Sequence, residues 1–210
     1  MYISKQFEET DIDVLHTLIR TKPLATLITR NAGGIEAKLV PLVLSAGCTP
    51  LGTLCGHVAR SNPLWQDHPE DSDVLVIFNG AQSYITPSWY ASKAESGKVV
   101  PTWNYVSVQA KGKLRVIHDP GWILSQLELL TAQNEAEFEH SWAVSDAPYE
   151  FTSKLLEAIV GVEIVITEIQ GEWKVSQNRS TQDRSSIATG LRNHGRYEMA
   201  ELVKTPDETN

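Results

Sequence analysis

Between Leu24 and Ile117 the chain is a series of short apolar stretches, several of them alternating in polarity, with turn-forming residues between them. Alternation places every second side chain on one face of an extended segment, which a helix cannot use. Strands are expected at Ala25–Thr29, Ile35–Leu44, Leu51–Val58, Val74–Phe78, Ser83–Thr86, Tyr105–Gln109 and Lys113–Ile117. The Gly33-Gly34 pair is expected to turn the first hairpin, and Gly112 to separate the last two strands. So many short strands with so little between them exclude a strand-helix-strand fold and predict an antiparallel barrel or sandwich.

Helical periodicity flanks this block. Asp11 to about Arg20, with Thr10 as cap, puts Ile12, Leu15, Leu18 and Ile19 on one face, and Pro23 ends it. Asp119-Pro120 is a cap followed by proline at the first helical position, and Trp122, Ile123, Leu127 and Leu130 follow as a stripe. A second helix is expected from Tyr149 to Ile159 with Phe151, Leu155, Leu156 and Ile159 inward. Val162–Ile169 is expected to rejoin the barrel as a late strand. The text beyond Asn193 is polar and acidic at its end, so a frayed tail is expected there. The division is therefore a barrel domain with peripheral helices, 1–193, and a polar tail, 194–210.

With 210 residues and 41% apolar content the chain can bury a real core. Its net charge of −8 argues against a protein that grips nucleic acid through phosphate neutralisation. Cys48 and Cys55 fit neither a redox pair nor a zinc site and read as small buried thiols. The opening MYISKQFEET has no basic start and no apolar run, and no stretch is long and apolar enough for a membrane helix. The expectation is a cytoplasmic protein with no membrane partner.

Three segments are polar and aromatic where a plain barrel needs neither. In Gly56–Pro63 a strand ends and a short helix starts at Ser61 or Asn62. Backbone N–H groups, the Arg60 fork and a hydroxyl there suit an anionic phosphate, although a simple cap and a surface ion pair explain the same residues. Ser83 to Tyr105 holds two tryptophans and three tyrosines among Ser, Thr, Asn and Lys. Such side chains line pockets for planar rings, and equally line subunit interfaces. Trp173–Arg179 ends a strand in Lys174, Gln177, Asn178 and Arg179, a donor-rich set that also suits an ordinary turn. No nucleotide-loop, zinc-protease or serine-nucleophile motif occurs. The six histidines show no metal-ligand spacing, and only His57 falls inside one of the three segments.

These segments together resemble a known family, the PaiB-like FMN-binding negative transcriptional regulators. The likeness runs from Met1-Tyr-Ile to about Gly190-Leu191. It is carried by Gly56-His-Val-Ala-Arg-Ser-Asn-Pro63, Ser88-Trp-Tyr90, Gly97-Lys-Val-Val-Pro-Thr-Trp-Asn-Tyr105 and Lys174-Val-Ser-Gln-Asn-Arg179. Where that family often has Asn-His before Leu-Pro, this chain reads Lys38-Leu39-Val40-Pro41, so no histidine role carries over there.

The resemblance implies a mainly β fold with helical attachments, a split antiparallel β-barrel of the FMN-binding type. It also implies a homodimer with the flavin in an interface groove, and a regulatory role; DNA is a possible partner by resemblance alone. Arg60 and Ser61, with His57 and Asn62 beside them, become candidates for the FMN phosphate. Trp103, Asn104 and Tyr105 become candidates for the ring or ribityl chain, and Gln177, Asn178 and Arg179 for closing the site. The competing readings are a flavin-dependent oxidoreductase using the same groove and a haem-binding or haem-degrading barrel with His57 as ligand.

Overall fold

The computed structural model describes residues 2–45, 49–68 and 70–203. Cys48 and the acidic C-terminal end therefore lie outside the described residues. In chain order the elements are β1 Glu8–Glu9, α1 Ile12–Thr21, β2 Leu24–Asn31, β3 Gly34–Ser45, β4 Thr53–Ala59 and α2 Leu64–Asp67. They continue with β5 Ser72–Ile85, α3 Lys93–Ser96, β6 Thr102–Ile117, α4 Pro120–Glu135, α5 Tyr149–Glu157, β7 Ile159–Lys174, α6 Thr181–Asn193 and α7 Tyr197–Val203. No helix among the described residues is long and apolar enough to cross a membrane.

The strands form a seven-stranded sheet in the order β1-β7-β4-β3-β2-β5-β6, and a further β6–β7 pairing closes it. The registered pairs are antiparallel. This is the split antiparallel barrel with helical attachments that the strand pattern and the family resemblance anticipate. The chain divides into two compact units. The first, residues 12–78 and 109–169, is the barrel unit. The second comprises 2–11, 79–108 and 170–203 of the described residues.

In the barrel unit the alternation becomes a core. Ala25, Leu27 and Thr29 of β2, Val40 and Leu42 of β3, and Val74, Val76 and Phe78 of β5 all point inward and are buried. The β2–β3 hairpin pairs Asn31 with Gly34, so its loop is Ala32-Gly33, one residue earlier than the Gly-Gly pair suggests. Asn31 explains the shift, because its side-chain oxygen accepts from the Gly33 N–H at 2.8 Å and starts the turn itself. Asp119 caps α4 as expected, accepting from Trp122 N at 2.6 Å.

Three expectations change. Val74–Phe78 and Ser83–Thr86 belong to one continuous strand, β5, and the two segments around Gly112 belong to β6. Gly112 is a point of close approach, where an added Cβ would stand 2.6 Å from the Val165 carbonyl oxygen of β7. On α5, Phe151 and Leu155 are exposed rather than inward.

The second unit contains α3, α6, α7, β1 and the adjoining ends of β5, β6 and β7. Where a frayed tail is expected after Asn193, α7 forms and buries Met199, Ala200 and Val203. The buried Asp183 ties this unit together. Its carboxylate accepts from both the backbone N and the hydroxyl of Ser92 at 2.9 Å, while Ser180 caps α6 at the Asp183 N–H.

Candidate functional site

The sequence-derived candidates fall in both units, and each group has its own geometry. In the barrel unit His57 lies on β4, and Arg60, Ser61 and Asn62 form the turn that follows. Asn62 accepts from Leu64 N at 3.0 Å and so starts α2. Arg60 donates through Nε to the Glu157 carbonyl (2.7 Å) and through one Nη to the Ile159 carbonyl (3.1 Å), fastening the end of α5 to the start of β7. The Trp65 ring lies 5.9 Å from its guanidinium carbon. The outer Nη group and the exposed Ser61 hydroxyl remain for an anion. His57 is held by a residue that sequence reasoning missed. Gln126, buried on α4, accepts a hydrogen bond from His57 Nδ1 on its Oε1 at 2.9 Å. With Nδ1 as donor, the ring keeps Nε2 as an acceptor. The only sequence signal for Gln126 is a polar residue interrupting the apolar stripe of α4.

In the second unit Trp103 and Tyr105 share one face of β6, and Asn104 faces the other way. Asn104 is 1% exposed, and both ends of its amide are engaged by the Ser176 hydroxyl, at 2.9 and 3.2 Å. Ser176 sits at a φ of 65°, a strained position for a residue with a side chain, and Asn104 holds it there. Asn104 therefore positions the segment after β7. Gln177 folds back on that segment, accepting from Val175 N at 2.8 Å and donating to the Trp173 carbonyl. Asn178 occupies the turn between them and α6.

Arg179 lies over the Tyr90 ring, 5.0 Å from its centre. Tyr90 belongs to the Ser88-Trp-Tyr90 segment but stands outside the candidate set drawn from the sequence. Its hydroxyl is buried and without a hydrogen-bond partner, a condition that a bound polar group would relieve. Tyr105 carries a hydroxyl whose pKa is raised, first by burial and then by its hydrogen bond to Glu172, and Lys174 Nζ lies 5.8 Å from the ring centre.

Trp103 also belongs to a cleft of about 580 Å³ in this unit, within the range of small-molecule sites. Gln82, Tyr84, Trp89, His194 and Arg196 are among its other lining residues. Tyr84 and Trp103 meet edge to face at 6.0 Å, and Trp103 Nε1 donates to Gln82 Oε1 at 3.2 Å. The aromatic segment pointed toward Tyr84 and Trp89. His194 and Arg196 lie where a tail is expected, and the sequence marks Arg196 only as one of three arginines, with Arg184 and Arg192, near the end of the last helix.

Anion donors at Arg60–Ser61, the half-exposed Trp103 face and the partnerless Tyr90 hydroxyl are the chemistry that a flavin nucleotide requires, taken group by group. Fold and donor set define a flavin-type split barrel. The sequence matches the family described as "Putative FMN-binding domain" over residues 1–168, and the chain belongs to that family, whose cofactor is FMN.

An uncharacterized protein of Emericella nidulans is 35% identical over 93% of this chain and 92% of its own length. The Bacillus subtilis protein named protease synthase and sporulation protein PAI 2 is 29% identical over 97% of both chains. Among solved structures, the FAD and heme binding protein from Mycobacterium smegmatis shares the fold with a TM-score of 0.59. It is 16% identical and covers 87% of this chain and 80% of that one.

Proposed function

We propose that this chain is an FMN-binding regulatory protein that works as a homodimer and acts on transcription without a DNA-gripping surface of its own. The observation that carries the flavin part is the family match over residues 1–168. End-to-end similarity to the B. subtilis sporulation protein supports the regulatory part. Bound FMN would supply redox and light-absorbing chemistry. Arg60 and Ser61, flanked by His57 and Asn62, would hold its phosphate. Trp103 and Tyr105 would face the ring or ribityl chain, with Asn104 positioning Gln177, Asn178 and Arg179 to close the site.

The charge distribution supports an indirect mode of regulation. Of the three arginines that the sequence gathers near the end of α6, Arg192 is paired with Glu201 at 3.1 Å and Arg184 Nε donates to the Val203 carbonyl, so two are engaged within their own unit and Arg196 alone is left to set against a net charge of −8. A protein that tracks phosphates needs such cations free.

The homodimer has a candidate face on the barrel unit. The outward side of the β3–β2–β5 sheet carries Leu24, Ile28, Ile35, Leu39, Leu75 and Ile77. Leu24, Ile35 and Leu39 are 58%, 77% and 68% exposed. Strands apolar on both faces are typical of sheets covered on both sides, and a mainly apolar patch, with Arg30 at its edge beside Ile35, lets two copies at −8 meet without bringing acidic groups face to face.

The test is a set of three measurements on FMN-loaded protein. It should sediment as a dimer, leave NADH and NADPH unoxidised beyond the free-FMN rate, and give no salt-dependent shift on promoter DNA. Sustained NAD(P)H turnover would replace the regulatory reading with an oxidoreductase. A salt-dependent shift would overturn the indirect mode.

A further inference from the structure

We infer that the cleft at the C-terminal end of α6 is a binding site for a planar aromatic carboxylate held by Arg196, Trp89 and Tyr84, adjoining at Trp103 the site proposed for the flavin. The inference does not require the regulatory reading.

The cleft is built by local rules. Helix α6 stops because Gly195 adopts a φ of 71°, a left-handed conformation natural to glycine, which turns the chain so that Arg196 follows the helix end. Three of the last four carbonyls at that end are answered. His194 N and Arg196 N donate to the Leu191 oxygen at 3.1 and 2.9 Å, Gly195 N to the Arg192 oxygen at 3.0 Å, and His194 Nδ1 to the Gly190 oxygen at 2.8 Å. With those carbonyls covered, the helix end presents side chains. The Arg196 guanidinium has no hydrogen-bond or ion-pair partner among the described residues, and no acidic residue lines the cleft. His194 Nδ1 is committed as a donor to the Gly190 carbonyl, which leaves Nε2 as the ring's open hydrogen-bonding nitrogen.

The remaining lining is aromatic. Trp89 lies directly on α6 at Gly190, where an added Cβ would stand 2.6 Å from its ring, and the His194 ring packs 5.2 Å from it. Tyr84 and Trp103 are each about half exposed. Rings with open faces beside one free guanidinium match a ligand with a flat π-system and one planar anion, because arginine binds a carboxylate in a two-pronged geometry.

Calorimetric titration of the full-length protein with 2-aminobenzoate, with and without saturating FMN, tests this. We expect one equivalent bound both without FMN and at saturating FMN. Benzyl alcohol, which lacks the charge, should bind at least about tenfold more weakly, the scale of one lost charge-assisted pair. Arg196→Gln, an exposed change that leaves the core intact, should weaken 2-aminobenzoate by about tenfold or more while FMN binding is unchanged. Gly190→Ala, which displaces Trp89, should weaken it as well.

Mutual exclusion with FMN would overturn the inference and assign the cleft to the flavin. Absence of binding, or equal affinity in Arg196→Gln, would overturn it outright. Because FMN is titrated in the same series, failure of flavin binding would count against the functional proposal and not against this site.

Discussion

The barrel unit and the second unit are held together by different kinds of interaction. In the barrel unit, inward side chains such as Leu27, Leu42, Val76 and Phe78 are fully buried, and each position follows from the alternation of its strand. In the second unit the decisive ties join residues far apart in sequence through polar atoms: Ser92 to Asp183 and Asn104 to Ser176. Apolar burial is non-directional and tolerant, whereas a buried carboxylate or amide demands particular partners at particular angles. The chain thus pairs a tolerant scaffold with a fastidious polar region, and most of the candidate ligand-binding groups belong to the latter.

Substitutions can break or sharpen that contrast. Leu27→Ala in the barrel core should cost about 2–5 kcal/mol in denaturant unfolding, the range for a buried leucine whose cavity cannot fully collapse. A loss under about 1 kcal/mol would mean that the barrel is looser than its burial suggests. Asp183→Ala strips Ser92 of both acceptors and should cost about 1.5–3 kcal/mol, the scale of hydrogen bonds to a charged group. Ser92→Ala, which removes only the hydroxyl, should cost less than Asp183→Ala. Equal effects would show that the Ser92 backbone bond contributes little.

On the outward sheet face, Leu39→Lys should leave the fold intact and raise the dissociation constant of the proposed dimer about tenfold or more, the effect of placing an unpaired charge in an apolar contact. Unchanged sedimentation would remove this face as the interface. The smallest effect concerns pH. The Tyr105 pKa is raised in the folded state, so its contribution to stability is complete below the ordinary tyrosine value and is lost as pH rises through the raised one. Difference titration against Tyr105→Phe should show this phenol ionising above the ordinary tyrosine value. Titration at the ordinary value would contradict its hydrogen bond to Glu172.

The same contrast governs what could be read from the residues. Alternation located β2, β3 and β4 to within a few positions, and Asp119-Pro120 fixed the start of α4, because those signals are local. The joins were misread where a local turn signal met a long-range partner. Asn79-Gly80 looks like a turn yet continues β5, and Gly112 looks like punctuation yet marks where β6 presses on β7. Within the candidate site, Trp103 and Tyr105 were legible as aromatics with polar handles. Gln126 beneath His57 and His194 beyond α6 were not, and Tyr90 and Arg196 were legible only as an aromatic and a basic residue, since each gains its place when distant segments fold together. The α7 helix was hidden for the same reason, its three buried residues being scattered among charged ones.

The central claim is that this chain binds FMN, and a visible-absorbance titration of the purified protein with FMN tests it most directly. Binding should saturate at one flavin per chain, sharpen the vibrational structure of the flavin band and quench its fluorescence. Arg60→Ala should weaken it by about 1.5–3 kcal/mol, as loss of a charge-assisted phosphate contact requires. A flavin spectrum and fluorescence indistinguishable from those of FMN in buffer, at protein concentrations well above micromolar, would contradict the account.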